Sequence, residues 1–122
     1  NKDRGGAEIT YDGCLSGEEY EDFLSGCKIA LCTRKLENEY SAYTFPSKVL
    51  VYLNQNLRVV CTPINCVQQS RIAELINFTD GTAPVDIARK VLEVKLNPPI
   101  YADRKLDELH CEFVNNLKEL FL

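Results

Sequence analysis

The sequence predicts an α+β fold in a single domain, residues 1–122, with one main N-terminal helix packed on a small antiparallel sheet, an additional C-terminal helix, and disulfides bracing the parts. Three observations lead there. Tyr20, Phe23, Leu24 and Cys27 recur at helical spacing, and Leu31 continues the stripe. Lys48 to Leu53 and Leu57 to Thr62 are two apolar, β-branched runs parted by Asn54-Gln55-Asn56, the pattern of a hairpin. Six cysteines form an even set suited to an oxidising compartment.

The elements follow in order. Residues 1–6 read as a loose start to a mature chain whose secretory signal has been removed. Ala7 to Tyr11 alternates like a short strand and runs into the turn pair Asp12-Gly13. Ser16 and Glu19 then make a capping-box pattern, and Glu18, Glu19, Glu21 and Asp22 put negative charge at the positive end of a helix expected over about residues 17–34. An extended stretch from Lys28 to Thr33 is the alternative for its second half. Leu36 to Thr44 suits a loop, and Pro46 pushes Phe45 toward extended geometry.

The first hairpin strand is apolar on both faces, as in a central strand, and the second stops at Pro63, which has no N–H to donate. Asn65 is placed to cap a helix reaching Phe78, closed by Asp80-Gly81. The stretch 84–96 fits either period: Pro84 suits a helix start, whereas Val91, Leu92, Val94 and Leu96 would serve a strand. After Asn97-Pro98-Pro99, the residues Leu106, Leu109, Phe113, Leu117 and Leu120 mark a C-terminal helix with Asp103 as its cap.

Composition removes whole classes of function. The chain is 45% hydrophobic with a formal charge of −4, too apolar and too weakly charged for disorder, and it has no glycine period. No apolar run approaches the ~20 residues of a membrane span. Against 18 Asp+Glu, 14 Lys+Arg leave no cationic tract to gather phosphate, so nucleic acid is not an expected partner. The only histidine, His110, sits in the amphipathic C-terminal helix, where a structural role is expected, and no acid–base pair stands out. The acidic run at 18–22 lacks the glycine and alternating oxygens of a calcium loop, and no Gly-rich phosphate loop or nucleophile elbow occurs.

Zinc is the rival reading of the cysteines. Cys27-x4-Cys32 and Cys61-x4-Cys66 could supply four thiolates, but Cys14 and Cys111 would be left over, and the acceptor sequence Asn77-Phe78-Thr79 marks Asn77 for N-glycosylation and export. No metal and no cofactor are therefore expected. Cys27 and Cys32 are expected to reach Cys61 and Cys66, in an order the sequence leaves open among the 15 pairings six cysteines allow. Tyr40, Tyr43 and Phe45 cluster in the expected loop, where exposed aromatics are candidates for contact with a partner.

Several of these features together resemble a family. The Tyr11-to-Cys14 entry, one amphipathic helix with cysteines at its end, Phe45-Pro46, the extended run ending in Thr62-Pro63-Ile64, and the late Cys111 are similar to the ribonuclease-like secreted effectors of plant-pathogenic fungi of the powdery mildew type. Those effectors look like small microfungal guanyl-specific ribonucleases. The resemblance implies a Cys14–Cys111 bridge tying the chain ends, which in the chain-entropy model is worth roughly 4–5 kcal/mol. It also implies lost catalysis, because Ser47 and Cys61 stand where the ribonucleases place a histidine and a glutamate. Arg89 would occupy the place of a phosphate-binding arginine.

The expected protein is thus a secreted, monomeric, non-enzymatic effector that binds another protein, either a host target or an immune receptor, outside cells or after delivery into host cells. Two alternatives differ in class. An elicitin-type carrier of a small ligand or lipid shares the six-cysteine habit, although the hairpin argues for more strand than such helical carriers have. A disulfide-rich protease inhibitor would need a tightly bridged reactive loop, and none stands out.

Overall fold

The structure is a computed structural model, and it describes residues 8–36, 44–98 and 100–121. Helices and a small three-stranded sheet make up the fold, as the α+β reading expects. The elements are α1 (Gly17–Ser25), β1 (Ile29–Cys32), α2 (Lys48–Asn54), β2 (Arg58–Cys61), α3 (Asn65–Gln68), β3 (Ile76–Phe78), α4 (Pro84–Lys95) and α5 (Ala102–Phe121), with a 3-10 turn at Ala73–Leu75 leading into β3.

The sheet is parallel, not antiparallel. Its order is β1-β2-β3, with Cys32 opposite Cys61 in the first pairing and Cys61 opposite Phe78 in the second. Parallel neighbours cannot be joined by a tight hairpin; each needs a crossover. That requirement explains the main correction. The run from Lys48 is wound into α2, which buries Val49 and Leu53 one turn apart and leaves Leu50 and Val51 outside. A short apolar run is compatible with either period, and here the helical one supplies the crossover from β1 to β2.

Asn54-Gln55-Asn56, expected as a hairpin turn, ends this helix instead. Asn56 is left-handed with φ 58°, its N–H reaches the Leu53 carbonyl at 2.9 Å, and the Leu57 N–H reaches the Tyr52 carbonyl at 3.0 Å. This is a Schellman ending, in which asparagine is one of the few non-glycine residues tolerated at the left-handed position. The apolar contact that accompanies such an ending is present, since buried Leu57 packs with Tyr52, Leu24 and Ala30.

Helix α1 ends at Ser25, well short of residue 34, and the chain becomes extended after Lys28. Ser16 holds the cap position without a side-chain capping bond. Residues 8–11 form no strand. The helix beginning at Asn65 lasts one turn: the Ser70 hydroxyl donates to the Val67 carbonyl at 2.6 Å, and local bonding of this kind competes with helix propagation. Ile76 and Phe78 then belong to a strand. In the ambiguous stretch the helix prevails, with Pro84 in its first turn.

Central strand β2 is buried on both faces, a role the sequence had suggested for residues 48–53. Val59 and Cys61 join Val49, Leu53, Ile64, Val67, Ile72, Ile76 and Ala102 in the main core. Val60, alternate to them, faces the side where α4 runs along β2 and β3, with Val94 buried there. Helix α5 lies against α2. Its first turn is capped from a distance, as the Asn56 side-chain oxygen accepts the Asp103 N–H at 3.0 Å; Asp103 itself lies inside the helix. Among the described residues, no helix is long and apolar enough to cross a membrane.

Candidate functional site

All six cysteines carry free thiols, so neither the end-to-end tie nor the helix-to-sheet braces are formed. Cys14 and Cys111 are exposed, the former in an irregular segment and the latter on α5. Cys27 turns back on its own helix, its thiol facing the Phe23 carbonyl at 3.4 Å within the small cluster beneath α1. Cys32, Cys61 and Cys66 instead meet on the main core. Because α1 ends early, Cys32 stands on a strand rather than a helix, and parallel register sets it beside Cys61. Among the described residues, no group of three or more histidine, cysteine or acidic side chains is placed to hold a metal ion.

A cleft of about 390 Å³ opens at the carboxyl end of β1, lined by Leu31, Cys32 and Arg34 from the strand side and by Phe45, Ser47 and Lys48 where the chain enters α2. Carboxyl ends of parallel strands are the usual place for ligands in open sheets, because the chain leaves the sheet there and loops frame a crevice. Thr62 fixes this rim: its hydroxyl donates to the Arg34 carbonyl at 2.7 Å and its N–H to the Cys32 carbonyl at 3.1 Å. The Arg34 guanidinium donates to the Thr44 carbonyl, bracing the loop that carries Phe45.

The two thiols are electrostatically unequal. A hydrogen bond from the Cys61 thiol, aided by the positive charges of Arg34 and Lys48, lowers the Cys32 pKa to about 7 against the opposing effect of burial. That same hydrogen bond to Cys32, together with burial and the Cys32 charge, pushes Cys61 well above the usual thiol range. Near neutral pH the pair therefore carries at most one negative charge, on the sulfur nearer the cleft and the cations. Tyr52, on the cleft's inner wall, is also raised, first by burial and then by Tyr20.

The other expected site residues are scattered. Phe45 lies on the cleft rim, about a third exposed, while Tyr40 and Tyr43 fall outside the described residues. Asn77 is in edge strand β3, its side-chain amide donating to the Val59 carbonyl at 3.1 Å; Thr79 of the acceptor sequence is buried, its hydroxyl donating to the Gly81 carbonyl. His110 is exposed on α5, and Arg89 pairs with Asp86 on the surface of α4. Ser47 lies at the start of α2 in the cleft. Arg34 and Lys48 were not foreseen. Their signal was a basic residue just past each of two apolar runs' cleft-facing ends, which carries no meaning until the strand pairing is known.

A second surface is conspicuous. The stripe of α5 packs Leu106 and Leu109 against the core, yet its continuation stays open, with Phe113 60% and Leu120 74% exposed. No family model matches the chain, and neither the curated proteins nor the solved structures contain a match.

Proposed function

We propose that this chain is a non-enzymatic binding protein that inserts the open half of α5 into an apolar groove of a protein partner. The single observation behind this reading is that one helical stripe is covered over its first turns and uncovered over its last. Water-facing aromatic and leucine side chains at i, i+4 and i+7 are the anchors of helix-in-groove recognition. Asn115, Asn116, Lys118 and Glu119 flank them as a polar rim. The resemblance to secreted effectors supports export and a host target or immune receptor as that partner. Phe45, on the cleft rim, would add a further contact. The reading rests on the α5 surface and not on the ribonuclease likeness.

The test replaces Leu117 with a photo-crosslinking residue and asks for a discrete adduct in extracts of candidate host cells. An adduct that a peptide of residues 102–121 competes away, and that Phe113→Ser with Leu120→Ser abolishes in the folded chain, supports the proposal. Adducts insensitive to both would overturn it, as would a concentration-dependent homodimer that accounts for the crosslink.

A further inference from the structure

We propose that Cys32 and Cys61 form a thiol–disulfide exchange site, in which the cleft admits a small anionic disulfide, Cys32 attacks it, and Cys61 resolves the product into a cross-strand bond. The register carries the geometry. Directly paired residues of adjacent strands sit ~4.8 Å apart, within the ~4.4–6.8 Å that a disulfide spans between Cα atoms. Directly paired residues project from the same face of a sheet, and both cysteines pack on the main core. Cys32 lines the cleft and Cys61 is fully buried behind it. That difference assigns the roles, because only Cys32 can meet a molecule arriving from solvent.

Arg34 and Lys48 define the class of reagent. Both flank Cys32 in the cleft, and two cations favour a disulfide bearing carboxylates, glutathione disulfide being the readily tested example. The Cys32 thiolate attacks one sulfur, the S–S bond breaks, and one thiolate leaves and takes up a proton from solvent. Cys32 is then a neutral mixed disulfide. The hydrogen bond and charge that had held the proton on Cys61 vanish together, and Arg34 now favours its ionisation. Cys61 gives up its proton, its thiolate attacks the Cys32 sulfur, and the second small thiolate is expelled and takes up that proton. Two protein thiols and one disulfide thus become one protein disulfide and two small thiols, with electrons and protons balanced.

The competing partner for Cys61 is Cys66, which shares its cluster. The experiment incubates the reduced, full-length chain with glutathione disulfide at pH 7.5, quenches with acid, alkylates, and maps the peptides. The expected product joins Cys32 to Cys61 and leaves Cys66 alkylated. In Cys61→Ala the glutathione should stay on Cys32, and in Cys32→Ser neither adduct nor bridge should form. A pH profile of Cys32 alkylation should have its midpoint near 7; at that pH a thiolate so shifted reacts about five-fold faster than an ordinary thiol, the larger ionised fraction outweighing its lower nucleophilicity. A Cys61–Cys66 bond in the wild-type chain, or Cys32 left alkylatable after full oxidation, would overturn the proposal without requiring either variant to fold.

Discussion

Asn56 performs two jobs that a short substitution series can separate. Its backbone is left-handed at the end of α2, and its side-chain oxygen accepts the Asp103 N–H in the first turn of α5. Alanine keeps neither advantage. The left-handed conformation costs an ordinary L-residue roughly 1–2 kcal/mol, and losing a side-chain cap costs about 1 kcal/mol, so Asn56→Ala should destabilise the chain by about 2–3 kcal/mol. Glycine restores the backbone freedom and removes only the acceptor, for a loss of about 1 kcal/mol or less. Aspartate retains an acceptor and adds negative charge at a helix N-terminus, so it should match the natural residue within about 0.5 kcal/mol. At about 4 °C per kcal/mol for a domain of this size, alanine should lower Tm by about 8–12 °C and glycine by about 4 °C or less. Thermal and urea unfolding under reducing conditions would measure the series. Equal losses for alanine and glycine would refute the role of the backbone, and an unaffected alanine variant would refute both roles.

Other outcomes follow from the same geometry. Cys32 has a folded-state pKa near 7 against an ordinary 9.0, so its stabilisation should be fully present above about pH 9 and fade as pH falls through 7. Cys61 is shifted upward, so its contribution is present below pH 9 and declines above it; under reducing conditions urea midpoints should therefore rise from pH 6.5 to 9 and then turn down, and a flat profile would contradict the coupled pair. Leu53→Ala empties a fully buried position and should cost about 2–5 kcal/mol, whereas Leu120→Ser on the open part of α5 should stay within about 0.5 kcal/mol, both by urea titration. Asn77→Asp removes the amide donor to the Val59 carbonyl and sets a carboxylate beside it, which should cost about 1–3 kcal/mol at neutral pH, with partial recovery in acid.

Elements carrying their own punctuation were legible in the sequence. The start of α1 after Ser16, the proline in the first turn of α4 and the stripe of α5 are local signals, and each marks an element in the structure. Residues 48–56 misled because both local cues are two-valued, whereas the run after them is the expected strand. A run such as Val-Leu-Val-Tyr-Leu suits helix or strand, and an asparagine that tolerates positive φ ends a helix as readily as it turns a hairpin. Their resolution lies in the partner strand, 29 positions upstream at Ile29, which no window of local sequence contains. The thiol site was half visible. A meeting between the Cys27/Cys32 and Cys61/Cys66 groups was anticipated, but not that Cys32 and Cys61 would share a ladder position, nor that Cys27 would turn away onto α1.

The position of β2 between its two partners has a consequence for the order of assembly. Its pairing with β3 closes a loop of roughly 17 residues and its pairing with β1 one of roughly 29, a difference in closure entropy of about 0.5 kcal/mol that favours β3 as the earlier neighbour. Strand β1 then docks last, at an open edge, and only its arrival brings the two ladder cysteines within reach of each other. Oxidation of that pair would act as a latch on the final step of folding, and the kinetics of its formation would time the docking of a single edge strand.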